Sequence, residues 1–186
     1  PEFYESEFNQ YYQDAMFPNP GLEQFAPDVI LIHTTYRNIE TFPKLADTAG
    51  DVEKQLLREY RKFERMWKRL ADVYHCVIVQ NNFEYPYYRM MGNREASDIH
   101  GRVNYVTRLN LLFYEYAQNH DNFYIHDINY LSGRYGLEKW SDPFYWHSYK
   151  YALCVPAIPE FASSVAKIIK SIYGKNKKAL VLDLDN

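Results

Sequence analysis

Asp28-Val29-Ile30-Leu31-Ile32-His33-Thr34 is the stretch that decides the fold. Its apolar residues run on without alternating, so a strand made of them has to be covered on both faces, as strands of parallel sheets are. Two further runs read the same way, Val73 to Gln80 and Asn122 to His126, and Ala179 to Leu182 predicts a fourth strand. Between them lie helical patterns long enough to cross over a sheet. The alternation predicts a three-layer α/β/α sandwich on a mostly parallel sheet.

The clearest helical pattern begins near Asp51, where Val52, Leu56, Leu57, Tyr60, Phe63, Met66, Trp67 and Leu70 recur at spacings of three and four. Its other face mixes Lys and Arg with Asp and Glu, which predicts a solvated face with pairs such as Glu64 to Lys68 rather than a nucleic-acid stripe. Glu95 to Asn119 forms a second helical pattern, Asp127 to Leu137 a third, and Ser141-Asp142-Pro143 opens another. Pro156 and Pro159 open a last one, with Gly174 as its cap. Upstream, the aromatic residues of 1–17 stand at roughly helical spacing, and Leu22 to Phe25 adds a further turn.

A chain of 186 residues at 47% hydrophobic suits one folded domain with a linker, and a net charge of −3 exerts no general pull on nucleic acid or anionic lipid. The 19 Tyr and three Trp point to half-buried amphipathic surfaces, a groove or an interface. Two cysteines, Cys76 and Cys154, read as reduced core thiols. No apolar run has the length of a membrane span and no signal-peptide pattern opens the chain, so cytoplasm is the default location and no membrane partner is expected. No Gly-x-Gly follows a strand, which leaves a dinucleotide site nothing to rest on.

In open α/β sheets ligands bind beyond the carboxyl ends of the strands. Three stretches fall there, Thr34 to Asn38, Asn81 to Pro86 and Asp127 to Tyr130. A fourth, Trp140 to Lys150, concentrates Asp142, His147, Lys150 and several aromatic residues, and His147 is the best candidate general base by its neighbours in sequence. The last ten residues, Lys177-Lys178-Ala179-Leu180-Val181-Leu182-Asp183-Leu184-Asp185-Asn186, place two carboxylates two residues apart at the end of an apolar run. Such a pair can share phosphoryl chemistry, one attacking phosphorus and holding Mg²⁺ while the other moves a proton.

That run resembles motif I of the haloacid dehalogenase (HAD) superfamily, and Asp-Leu-Asp-Asn after Lys-Lys-Ala-Leu-Val-Leu resembles its FkbH-like branch. The resemblance implies a phosphoryl-accepting nucleophile and Mg²⁺ ligand at Asp183, and an acid/base whose main chain also meets the metal at Asp185. It further implies that residues 1–174 form an N-terminal domain and that 175–186 are a linker and the first strand of a HAD domain cut short. The complete protein is then expected to be a Mg²⁺-dependent enzyme, and this chain alone inactive as a phosphatase.

A parallel sheet, an Asn after the second strand and a late Asp…His pair also resemble an SGNH hydrolase domain, which precedes the HAD domain in FkbH-like proteins. By that resemblance Asn81 takes the oxyanion role, His147 the base role with Asp142 beside it, and Asn9, in Phe8-Asn9-Gln10-Tyr11, a looser oxyanion position. The chain has no Gly-Asp-Ser segment, and Asp142 stands five residues before His147 where the family has three. The family implies handling of a small phosphorylated acid or acyl substrate, of the glyceryl type, in transfer to an acyl carrier protein, in a cleft lined by Asn81 and His147. Two alternatives stay open: an SGNH esterase or acyltransferase in its own right, and a non-catalytic docking module.

Overall fold

The computed structural model describes residues 2–174. The expected fourth strand, and with it Asp183 and Asp185, lies outside the described residues. The chain divides into two compact units, Pro1–Glu138 and Lys139–Asn186.

The first unit is built on three parallel strands, β1 (Val29–Ile32), β2 (Val77–Asn81) and β3 (Phe123–His126), in the order β1-β2-β3. Helices α1 (Tyr11–Met16) and α2 (Pro20–Phe25) precede the sheet. The long α3 (Ala49–Tyr74) connects β1 to β2, α4 (Arg102–Gln118) connects β2 to β3, and α5 (Ile128–Tyr135) leaves β3. Both crossovers step the same way along the sheet, so a common handedness puts α3 and α4 on one face. The side chains agree. Phe63 of α3 meets Phe113 of α4 at 5.2 Å between ring centres, and both join Ile32, Ile78 and Phe123 of the sheet in one core. This is the α/β sandwich type that the alternation predicts.

Trp67 is the centre of that core. It is fully buried, its ring lies 4.6 to 4.7 Å from those of Phe113, Tyr116 and Phe123, and its indole N–H donates to Gln80 Oε1 at 3.0 Å. A buried indole needs that acceptor. The helix that carries Trp67 starts with a capping box, Thr48 and Asp51 each holding the other's backbone N–H. Its outer face carries the Lys68–Glu64 pair at 2.9 Å.

Three boundaries and the cover of one strand differ from the sequence expectations. Val73 and Tyr74 belong to α3, which closes with His75 in the left-handed region at φ 50°, so β2 begins only at Val77. The pattern from Glu95 begins as a 3₁₀ turn, Gly92–Glu95, and α4 starts at Arg102. Gly101 separates the two because a Cβ there would come within 2.1 Å of the Glu95 carbonyl oxygen. The buried Glu95 carboxylate then caps the new helix, accepting from Val103 N at 3.3 Å and from Met91 N at 3.1 Å. In residues 2–17 only Tyr11–Met16 is helical. Lastly, β1 is not covered on both faces, since Leu31 is 41% exposed.

The second unit carries α7 (Pro143–Tyr149) and α8 (Ile158–Ile172), with α6 (Leu137–Trp140) at the junction. Asp142 caps α7, and Gly174, at φ 64°, stands just past the end of α8. Both cysteines are free. No helix among the described residues is long and apolar enough to cross a membrane.

Candidate functional site

All three strands run the same way, so their carboxyl ends gather His33 and Thr34 after β1, Asn81 and Asn82 at the end of β2, and His126 and Asp127 at the end of β3. The register places Asn81 directly opposite His126. Asn81 is buried and fastens the neighbouring loop. Its Oδ1 accepts from Thr34 N at 2.9 Å and meets His33 Nδ1 at 3.1 Å, while its Nδ2 donates to Thr34 O and, at 2.7 Å, to Asn82 O. Gln80 supports it from below, donating to Thr34 Oγ1 at 3.0 Å and to the Asn81 carbonyl at 2.8 Å. A buried amide network of this kind holds its members in one geometry because each lost bond leaves a costly unpaired group.

Asn82 does the same for the third strand. Its Nδ2 donates to Asp127 Oδ1 and to the Tyr114 hydroxyl, both at 2.7 Å, and its Oδ1 accepts from Asn129 N at 3.0 Å. Asp127 also caps α5 through Tyr130 N at 3.0 Å. Asp127 is exposed and His33 half-buried, so this edge has an open side.

The electrostatics follow from burial. Burial lowers the pKa of His126 to about 4, with His33 nearby adding to the effect and Asp127 opposing it. Burial also lowers that of His33, against the bond to Asn81. Both rings are therefore neutral at pH 7. Two residues past Asn82, the Glu84 carboxyl is buried and pushed up to about 7. Neither of its oxygens meets a donor at good hydrogen-bond geometry among the described residues, although Arg37 and the backbone N–H groups of Glu84 and Tyr36 favour its charge. The hydroxyls at this edge are engaged locally: Thr34 with Gln80, Thr35 with Arg37 N at 3.2 Å, Ser132 with the Asn129 carbonyl at 2.9 Å. None of the three is presented as a nucleophile.

Of the site residues expected from the sequence, Asn9 and Asn81 converge on one loop. Asn9 is exposed at φ 61°, and its Oδ1 accepts from Asn38 Nδ2 at 3.2 Å; Asn38 in turn holds Thr35 N at 2.9 Å, next to the residue that Asn81 fastens. Asp142 and His147 belong to the second unit. The Asp142 carboxylate is occupied as a helix cap on Phe144 N at 2.8 Å, and His147 is exposed on α7 with no hydrogen bond joining it to Asp142. Asp183 and Asp185 lie outside the described residues, among which no three His, Cys, Asp or Glu side chains gather to hold a metal. Sequence reasoning reached Asn82 and Glu84 only as members of the Asn81 to Pro86 stretch and passed over His33 and His126, whose signal is positional: each closes or directly follows an apolar run.

Residues 2–170 match the family model described as FkbH, N-terminal domain. Among curated proteins none matches. A solved structure is similar over 100% of this chain at 24% identity with a TM-score of 0.82; it is the crystal structure of the N-terminal part of the protein BF1531 from Bacteroides fragilis, containing a phosphatase domain and complexed with Mg. This chain spans 48% of that one, and the likeness is one of fold.

Proposed function

From the premise that this chain belongs to the FkbH N-terminal domain family, we propose that it is the recognition domain of a larger Mg²⁺-dependent phosphatase or phosphotransferase. It holds a small phosphorylated acid or acyl group, and the carrier that receives it, at the carboxyl ends of β1, β2 and β3. The observation that carries the reading is the Asn81 network, a buried and fully used set of amide bonds that fixes the His33–Thr34 loop at the edge where sheets of this type bind ligands. Support for the phosphatase half comes from the solved neighbour, whose description names a phosphatase domain and Mg, and from the length of that neighbour outside the match. Asp183 and Asp185 would serve the metal in that half.

The test uses the full-length protein with Mg²⁺ and two substrates, phosphoglycerate and p-nitrophenyl phosphate. Asp183→Asn should abolish turnover of both. Asn81→Ala should raise KM for phosphoglycerate and leave kcat for p-nitrophenyl phosphate unchanged. An unchanged KM in a folded Asn81→Ala protein would remove the recognition role.

A further inference from the structure

His100 meets an acceptor at each ring nitrogen. Its Nδ1 lies 2.7 Å from Asp98 Oδ1, and its Nε2 lies 3.0 Å from the backbone carbonyl oxygen of Asp47. A carbonyl and an ionised carboxylate have no proton to offer, so both bonds exist only when both nitrogens carry one. The ring is therefore an imidazolium here. Its surroundings favour that form, since the bonds to the Asp47 carbonyl and to Asp98 raise its pKa above the ordinary 6.5. The bonds from His100, with Arg94 adding to them, lower the pKa of Asp98 in turn.

The two acceptors stand on different connections. Asp98 follows the 3₁₀ turn Gly92–Glu95 and precedes α4, whereas Asp47 belongs to the turn before α3. Both helices follow parallel strands and start at the carboxyl edge of the sheet, so His100 ties the two at their openings. The turn around Asp47 is a unit in itself, because Asp47 Oδ2 accepts from Lys44 N at 2.8 Å and from Gln55 Nε2 at 2.9 Å. Leu45, in the same turn, is exposed. Other contacts hold the helices together whatever the charge on His100: Phe42 lies 5.6 Å from the Tyr105 ring and 5.2 Å from the Arg102 guanidinium, and Arg108 pairs with Glu53. The charged groups around the ring are Asp98 and Arg94 from its own segment and, across the contact, Asp47 with Lys44 beside it.

When the ring loses one proton, Nδ1 keeps its own. It faces a carboxylate fixed by Arg94 and by His100 N at 3.0 Å, and charge-assisted bonds are the stronger kind. Nε2 then turns a lone pair on the Asp47 carbonyl, and that contact opens. We propose that His100 is a pH-sensitive latch between the turns that open α3 and α4, closed when the ring carries both protons and released at Asp47 when Nε2 gives its proton up. Its contribution to stability is complete below pH 6.5 and is lost as pH rises through the raised folded value. Release frees residues 44–48 from the α4 side and leaves the core untouched. The latch does not depend on what the strand ends bind.

The experiment follows this chain from pH 5 to 9 by ¹H–¹⁵N spectra of the histidine rings and of the backbone, in wild type, His100→Gln and Asp98→Asn. In wild type both His100 nitrogens should be protonated at pH 6, with a midpoint above 6.5. The amides of Lys44, Asp47 and Thr48 should shift with that same midpoint. Above it the Asp47 amide should exchange roughly tenfold faster than the intrinsic effect of pH accounts for. His100→Gln should lose this transition, and Asp98→Asn should move it to lower pH. A neutral ring at pH 6, a titrating ring with residues 44–48 silent, an unmoved midpoint in Asp98→Asn, or the same transition in a folded His100→Gln protein each overturns the latch. Should a variant fail to fold, the wild-type ring and backbone spectra decide between the same outcomes.

Discussion

Among the histidines that stand close to an acid in sequence, His126 next to Asp127 and His147 five residues after Asp142 have surroundings that differ in kind. Around His126 the polar groups are knitted together: Asn81, Asn82, Gln80, Thr34, Tyr114 and Asp127 share hydrogen bonds that cross from strand to strand and on to α4 and α5. Around His147 the neighbours are aromatic and open. Phe144 and Tyr149 are 62% and 59% exposed, the rings of Tyr149 and Tyr151 lie 5.8 Å apart, and Lys150 stands 5.6 Å from the Trp146 ring. Asp142 works as a cap. Richness in chemically able residues is thus a poor guide to a site. What separates the two regions is whether each polar group is held by others that cannot be removed cheaply.

That contrast can be broken by substitution. The largest effect should come from Asn81→Leu, which strands the Thr34 N–H and two backbone carbonyls in the interior; we expect about 3–5 kcal/mol lost in chemical denaturation. A loss under about 1 kcal/mol would mean the network is slack.

Next comes Glu84, whose folded pKa of about 7 lies above its ordinary 4.5. Its contribution to stability is complete below pH 4.5 and is lost as pH rises through 7. Glu84→Gln should therefore be up to about 3 kcal/mol more stable than wild type at pH 8 and show no such gain at pH 4. Stability curves that run parallel across this range would contradict the burial argument. His126 works in the opposite direction: with a folded value of about 4, its share is present above pH 6.5 and lost as pH falls toward 4.

In the second region the effects should shrink. Asp142→Ala removes one helix cap and should cost about 1 kcal/mol. Tyr149→Ala removes an exposed ring and should stay within about 0.5 kcal/mol of wild type by thermal melting. A large loss from Tyr149→Ala would show that the aromatic region is as tightly held as the strand ends, and the comparison would lose its force.

The sheet was legible because a four-residue aliphatic run such as Val29–Ile32 admits few other readings, and the strand-end stretches that hold the cluster follow from it directly. The start of β2 was not, because Val73 and Tyr74 suit a strand by composition but continue the apolar stripe of α3, and nothing in sequence marks His75 as the left-handed cap. The gap before α4 depends on a contact between Gly101 and the Glu95 backbone that only the folded chain reveals. Asn81 could be chosen from its place after a strand. His33 could not, since its partner lies 48 residues away and becomes a neighbour only through the parallel pairing of β1 and β2.

The most direct measurement is a ¹H–¹⁵N titration of this chain with phosphoglycerate and with S-acetyl-N-acetylcysteamine, read at every assigned amide. If the strand ends are the site, saturable shifts should centre on His33, Thr34, Asn81, Asn82 and Asp127, and fade in Asn81→Ala. Saturable shifts centred on residues 142–151, with the strand ends silent, would contradict it and return the site to the aromatic helix.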